Sequence, residues 1–181
     1  MSRYLMIIMA VTWLATPAGA QPKPAEEPVP TLAPVIVPGT PTIVPDRTAT
    51  TEQARQEIQR TVPGGAEVVG EGTIKESLAT NLRGVLDFVP GVLVRPRFGL
   101  ADESQFAIRG SGLQNNFHNR DVNFLFNGYI YGQADGFSDF ESLELLTTKR
   151  IEIYKGANAL ALGGYTLGGA INLVSKTGYD A

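Results

Sequence analysis

Residues Ile151–Gly178, IEIYKGANALALGGYTLGGAINLVSKTG, decide how the rest of the chain is read. Two strand-forming runs, Ile151–Tyr154 and Ala170–Val174, flank a segment with five glycines. Such glycines either cradle a phosphate on backbone amides or permit tight turns and close backbone approach. Neither phosphate-loop pattern is met: no Lys-Ser or Lys-Thr follows the glycines in the P-loop spacing, and no G-x-G-x-x-G follows a strand. Gly163-Gly164 and Gly168-Gly169 are therefore read as chain reversals.

Working outward, the upstream chain alternates helix and strand signals. Thr50–Arg60 reads as a short helix, with Thr50 or Thr51 as its cap and Ala54 and Ile58 four apart. Val62-Pro63-Gly64-Gly65 ends it, and Ala66–Val69 is a strand. Thr80–Val89 places Leu82, Val85, Leu86 and Val89 on one helical face, with Thr80 as N-cap, and Pro90-Gly91 stops it. Strands follow at Val92–Val94, Gln105–Gly110 and Val122–Tyr129, then a short helix at Phe140–Leu146. The expected fold is α+β: a small domain over 62–178 with a mixed, mostly four-stranded sheet, short helices and loops.

The 181 residues carry a net charge of −3, which gives no basic excess for nucleic acid. There is no cysteine, which excludes disulfides, thiolate catalysis and Cys-based zinc sites. The single histidine, His118, excludes any site needing two. Ser111 and Ser138 lack a nucleophile-elbow context, and Asp139, Glu141 and Glu144 fit a solvated face. No enzyme, cofactor or metal site is expected.

At the N-terminus, Arg3 precedes the apolar run Leu5–Leu14, too short to span a bilayer core of roughly 30 Å. Small residues Ala18 and Ala20 then complete an A-x-A pattern, so residues 1–20 read as a secretory signal peptide. Residues 21–61 form a proline-rich, extended segment followed by the short helix. Inside it, Leu32-Ala33-Pro34-Val35-Ile36-Val37 is the most β-prone stretch. It is either a strand offered to a partner's sheet edge or a chance apolar cluster, and its prolines limit pairing to the residues between them.

Three polar loops complete the inventory: Arg95-Pro96-Arg97-Phe98, Ser111–Asn116 and Tyr129–Gln133. Each mixes arginine, amide or tyrosine side chains. Converging at one end of the sheet, they would suit an anionic or polar ligand; otherwise they are ordinary solvated loops.

The ordered pieces VPGG, NLRGVLDFVPGVLV, FAIRGSGL, VNFLFNGY and RIEIYKGANALALGGYTLGGAINLVSKTG resemble the plug domain of TonB-dependent outer-membrane receptors. The resemblance implies that Leu32, Ala33, Pro34, Val35, Ile36 and Val37 form a TonB box, which pairs with TonB working with ExbB and ExbD. It implies ligand contacts at Arg95, Arg97, Phe98, Gln114, Asn115, Tyr129 and Tyr131. It also implies barrel contacts at Arg109 and at Lys155, which stands where the family commonly has arginine. Asn127 replaces the family's aspartate in the Asp-Gly pair. The segment before the box is too short for the signalling domain some relatives carry, and no barrel follows within these residues. The implied function is the gate of an outer-membrane transporter of a Gram-negative bacterium, importing a ferric siderophore or similar iron chelate through its own or a separate β-barrel. The alternative is a free-standing periplasmic plug-like protein that binds a ligand or TonB without transport.

Overall fold

The structure is a computed structural model that describes residues 45–96, 104–114, 118–140, 142–163 and 166–180. Helix α1 spans Thr51–Thr61. Its N-terminus is a capping box: Thr50 Oγ1 accepts from the Gln53 amide at 3.2 Å and Gln53 Oε1 accepts from the Thr50 amide at 2.8 Å. Ala54 and Ile58 face inward, while Glu52–Arg55 and Glu57–Arg60 pair on the solvent side. Gly64 and Gly65, at φ 65° and 78°, then turn the chain into strand β1, Ala66–Gly70.

Two short helices follow, α2 over Glu71–Glu76 and α3 over Leu82–Leu86. The cap of α3 is Asn81, whose Oδ1 accepts from the Gly84 amide at 3.1 Å, so the helix is shorter than its apolar periodicity predicts and Thr80 lies outside it. Strands β2 (Val92–Arg95) and β3 (Gln105–Ile108) form a separate antiparallel pair. β4 (Val122–Phe126) and β5 (Tyr129–Ile130) come next, where the sequence had read one continuous strand. Asn127 and Gly128, at φ 55° and 84°, break it into a hairpin. The helix expected at Phe140–Leu146 is replaced by a 3₁₀ turn at Leu145–Thr147. β6 (Thr148–Lys155) leads into a 3₁₀ helix, Gly156–Leu162, and β7 (Gly169–Ser175) closes the domain.

The main sheet runs β1-β6-β7-β4-β5, with β4 and β7 parallel and the other neighbours antiparallel. The expected α+β class and mixed sheet are both present: four strands of five to eight residues plus the two-residue β5. Strand alternation sends Val69, Phe124, Ile151, Ile153, Ile171 and Leu173 to one face, where Leu82, Val85, Leu86, Phe106 and Ile108 cover them. Phe106, Phe124 and Phe140 meet there with ring centroids 4.4 to 4.9 Å apart. The other face carries Val68, Leu125, Tyr154 and Ala170 beneath Ile58, Val62, Ala159 and Leu162. Each side chain sealed as fully as Ile151 or Leu86 contributes roughly 1.5–3 kcal/mol relative to exposure.

The glycine-rich segment does turn the chain, and its tightest contact is internal. A Cβ on Gly169 would lie 2.3 Å from the Tyr154 carbonyl and 2.9 Å from Ile108, so β7 crosses β6 where only glycine fits.

Candidate functional site

Arg95 ends β2 exposed, opposite Gln105 across the pair. Beyond Ile108 the chain reverses at once. Arg109 and Gly110 take φ 53° and 86°, and Ile108 and Ser111 exchange backbone hydrogen bonds of 3.1 and 3.0 Å. The returning chain is pressed against β3: a Cβ on Gly112 would lie 2.5 Å from the Phe106 carbonyl. Gln105 Nε2 then donates to the Gly112 and Leu113 carbonyls at 2.8 and 3.1 Å. Exposed Gln114 follows directly on the gripped Leu113 carbonyl. Buried Asn119 fixes the far end of this loop, accepting from the Phe106 amide at 3.1 Å and donating to the Ser104 carbonyl at 3.3 Å.

The third loop shares a cavity with Asn119, which lines it together with Ile130, Tyr131 and Gln133. Tyr129, 74% exposed, stands on the β4–β5 turn and shares a cleft of about 400 Å³ with Arg47, Phe126, Asn127, Ile130 and Tyr131. Asn127 anchors the turn, donating to Ser175 Oγ at 3.1 Å and accepting from the Ser175 amide at 2.9 Å. Its amide offers both a donor and an acceptor, which the family's aspartate in this pair would not. The Tyr131 hydroxyl, at the surface, is tied to the Asp139 carbonyl and Ser142 Oγ. Of the seven residues read as ligand contacts, Arg95 pairs with Gln105 and Gln114 follows the Leu113 carbonyl that Gln105 grips, while Tyr129 and Tyr131 stand by Arg47. Arg97, Phe98 and Asn115 lie outside the described residues, as do Leu32–Val37 and residues 1–20.

Arg109 and Lys155 meet at one corner of the domain. The Arg109 guanidinium lies over Gly65 and Gly156, where a Cβ would come within 2.6 and 3.3 Å of it, and no described carboxylate pairs with it. Lys155 is engaged internally: its Nζ sits 3.0 Å from Glu67 and 2.7 Å from the Pro90 carbonyl. His118 lies 3.7 Å from Asp135, and among the described residues no cluster of three potential metal ligands exists.

One further assembly had no counterpart in the sequence reading. On the α1 face of β6, Arg150 and Glu152 form a buried ion pair of 2.8 Å. The second Glu152 oxygen accepts from Asn172 at 2.9 Å and from the Tyr154 hydroxyl at 3.2 Å. Burial, and then the Glu152 charge, push the Tyr154 phenol well above its ordinary value. The guanidinium also donates to the carbonyls of Asp46 and Ala49, binding residues 45–50, a strap that precedes α1. The available signal was TTKRIEIYK itself: charges on one face of a strand buried on both sides must be paired.

A family model described as the TonB-dependent Receptor Plug Domain matches residues 58–170. The Vitamin B12 transporter BtuB of Vibrio vulnificus is 28% identical over 110 residues, 61% of this chain and 17% of that protein. Among solved structures, the ferric yersiniabactin uptake receptor FyuA of Yersinia pestis aligns over 62% of this chain and 17% of its own, at 19% identity and TM-score 0.51. A variant of the ferric enterobactin receptor PfeA of Pseudomonas aeruginosa aligns over 71% and 19%, at 22% identity and TM-score 0.50. The chain spans about a fifth of the length of the relatives it matches.

Proposed function

The chain belongs to the TonB-dependent receptor plug domain family, and on that premise we propose that it is the gate of an outer-membrane active transporter of a Gram-negative bacterium. The cargo is a ferric siderophore or a similar iron chelate. The ligand meets the plug at Arg95 and Gln114, with Arg97, Phe98 and Asn115 on the same loops, and a second contact region at Tyr129 and Tyr131. Arg109 reaches the wall of a surrounding β-barrel. Leu32–Val37 pairs as a strand with TonB, and ExbB and ExbD supply the energy. The pull shifts the plug and lets the ligand pass.

The observation that carries this reading is the family match across 58–170. The choice of cargo is supported by basic loops, whose guanidinium forks suit anionic chelates, and by relatives named as ferric siderophore receptors. The relative named as a vitamin B12 transporter makes cobalamin the competing cargo. The test uses the gate assembled with its barrel. Ile36→Pro removes a central strand donor and should abolish TonB-dependent uptake while ligand binding persists. Uptake that survives the substitution overturns the TonB-box assignment. Growth on single iron chelates or on cobalamin decides the cargo.

A further inference from the structure

The strap offers four successive backbone carbonyls to two adjacent cations. Lys149 Nζ donates to Arg47 and Thr48 carbonyls at 3.1 and 3.4 Å. Arg150 donates to the Asp46 and Ala49 carbonyls at 2.9 and 3.2 Å. Neighbouring residues of a regular strand point to opposite faces, so both side chains should not reach one segment. The β6–β7 register slips between Thr148 and Arg150, which leaves Lys149 as the extra residue of a β-bulge. Such a bulge re-aims a side chain, and here it turns Lys149 toward the strap.

The same ammonium lies 2.5 Å from Asp180 Oδ1, while Asp180 Oδ2 accepts from the amide and hydroxyl of Thr177. Arg47 closes the circuit by donating to Ser175 Oγ at 2.8 Å. The chain's way into the domain and its way out are therefore clasped by one lysine.

We propose that Lys149 and Arg150 are a latch: the strap and α1 form one unit that opens ahead of the sheet, and the latch sets how often it does. Apart from the latch, α1 is held by a narrow seam of Ala54, Ile58 and Val62, by Thr51 packed on Gly70 and by Arg55 donating to the Val68 carbonyl at 3.1 Å. A cavity of about 520 Å³ lies between α1, the strap and the Arg150–Glu152–Tyr154 face. β6 and β7, in contrast, are buried along nearly their whole length and paired on both sides. Opening free energy follows buried apolar contact, so the strap and α1 are the weaker unit. Opening strips Arg150 of two carbonyl partners beside a buried carboxylate, which drives reclosure. Asp180 is a positioning residue: it holds the ammonium beneath the Arg47 and Thr48 carbonyls. The inference deepens the gate reading, because it puts the first yielding element next to the segment on which TonB would pull.

Hydrogen exchange on the 181-residue chain, followed by mass spectrometry on peptides from 51–62, 148–155 and 169–175, tests it. The α1 amides should exchange at least about tenfold faster than those of β6 and β7. Lys149→Met and Asp180→Asn should each raise α1 exchange by about three- to tenfold and leave β6 and β7 unchanged. Equal exchange in all regions, α1 exchange unmoved by both variants, or acceleration of all regions together overturns the latch. Neither TonB nor ligand takes part, so failure here and failure of the Ile36→Pro uptake test are separate results.

Discussion

The Arg150 guanidinium and the Glu152 carboxylate lie 2.8 Å apart on one face of a single strand, with side chains only 1% and 3% exposed. Removing one partner strands the other charge away from water. Glu152→Ala should therefore destabilise the domain by about 3–5 kcal/mol, read as a lower urea midpoint. The Lys155–Glu67 pair is the contrast. Glu67 is 38% exposed and Lys155 keeps the Pro90 carbonyl, so Glu67→Ala should cost no more than about 1 kcal/mol.

Tyr154 should make the domain alkali-sensitive. Its phenol is raised above 10.0 by burial first and by Glu152 second. The folded state therefore holds the proton more tightly than the unfolded state. The resulting stability is complete below the unfolded value and is lost as pH rises above about 10. Urea midpoints should fall between about pH 9 and pH 11, and Tyr154→Phe should flatten that fall.

Asp180 should titrate at about 2, held down first by Lys149 and then by Thr177. Its folded value is depressed, so its contribution is present above 3.8 and is lost as pH falls toward 2. A carboxyl NMR titration checks the value. In Lys149→Met it should move back toward 3.8, which also reports whether the clasp is closed in solution.

Gly169→Ala should destabilise the domain by more than about 1 kcal/mol, because φ is 153° and the new Cβ would strike the Tyr154 carbonyl. Gly178→Ala meets nothing within 4 Å and has no left-handed φ, so it should be neutral or stabilise by up to about 1 kcal/mol. Thermal denaturation of the two variants side by side measures the difference.

Period and punctuation made much of the fold legible. The strands at 151 and 170, the α1 face of Ala54 and Ile58, and the reversal at the glycines follow from alternation, helical spacing and glycine freedom. Local signals failed where a single cap or turn outweighed a longer pattern. Asn81 capped α3 instead of Thr80, and Asn127-Gly128 split the run from Val122 to Tyr129. α2 escaped notice because one buried residue, Ile74, gives no period. Phe140 is buried as part of an aromatic cluster rather than on a helix face. The loops carrying Arg95 and Gln114 were legible as candidates, but the return of residues 112–113 against β3 depends on Gln105 gripping two carbonyls, and backbone acceptors leave no mark in a sequence. The strap was invisible for the same reason.

The strand order β1-β6-β7-β4-β5 also dictates a folding schedule. As the chain is made, β4 and β5 can zip locally, and β1 can find β6 once that strand has emerged. No strand pairing joins those two halves until residues 169–175 arrive, because among the described strands β7 is the one partner shared by β4 and β6. β7 is thus the keystone of the sheet, and its pairing with β4 spans more than forty residues. Such long closures are slow. Until β7 is delivered the sheet stands as two unjoined pairings, and truncation ahead of Gly169 should leave no five-stranded sheet to recover.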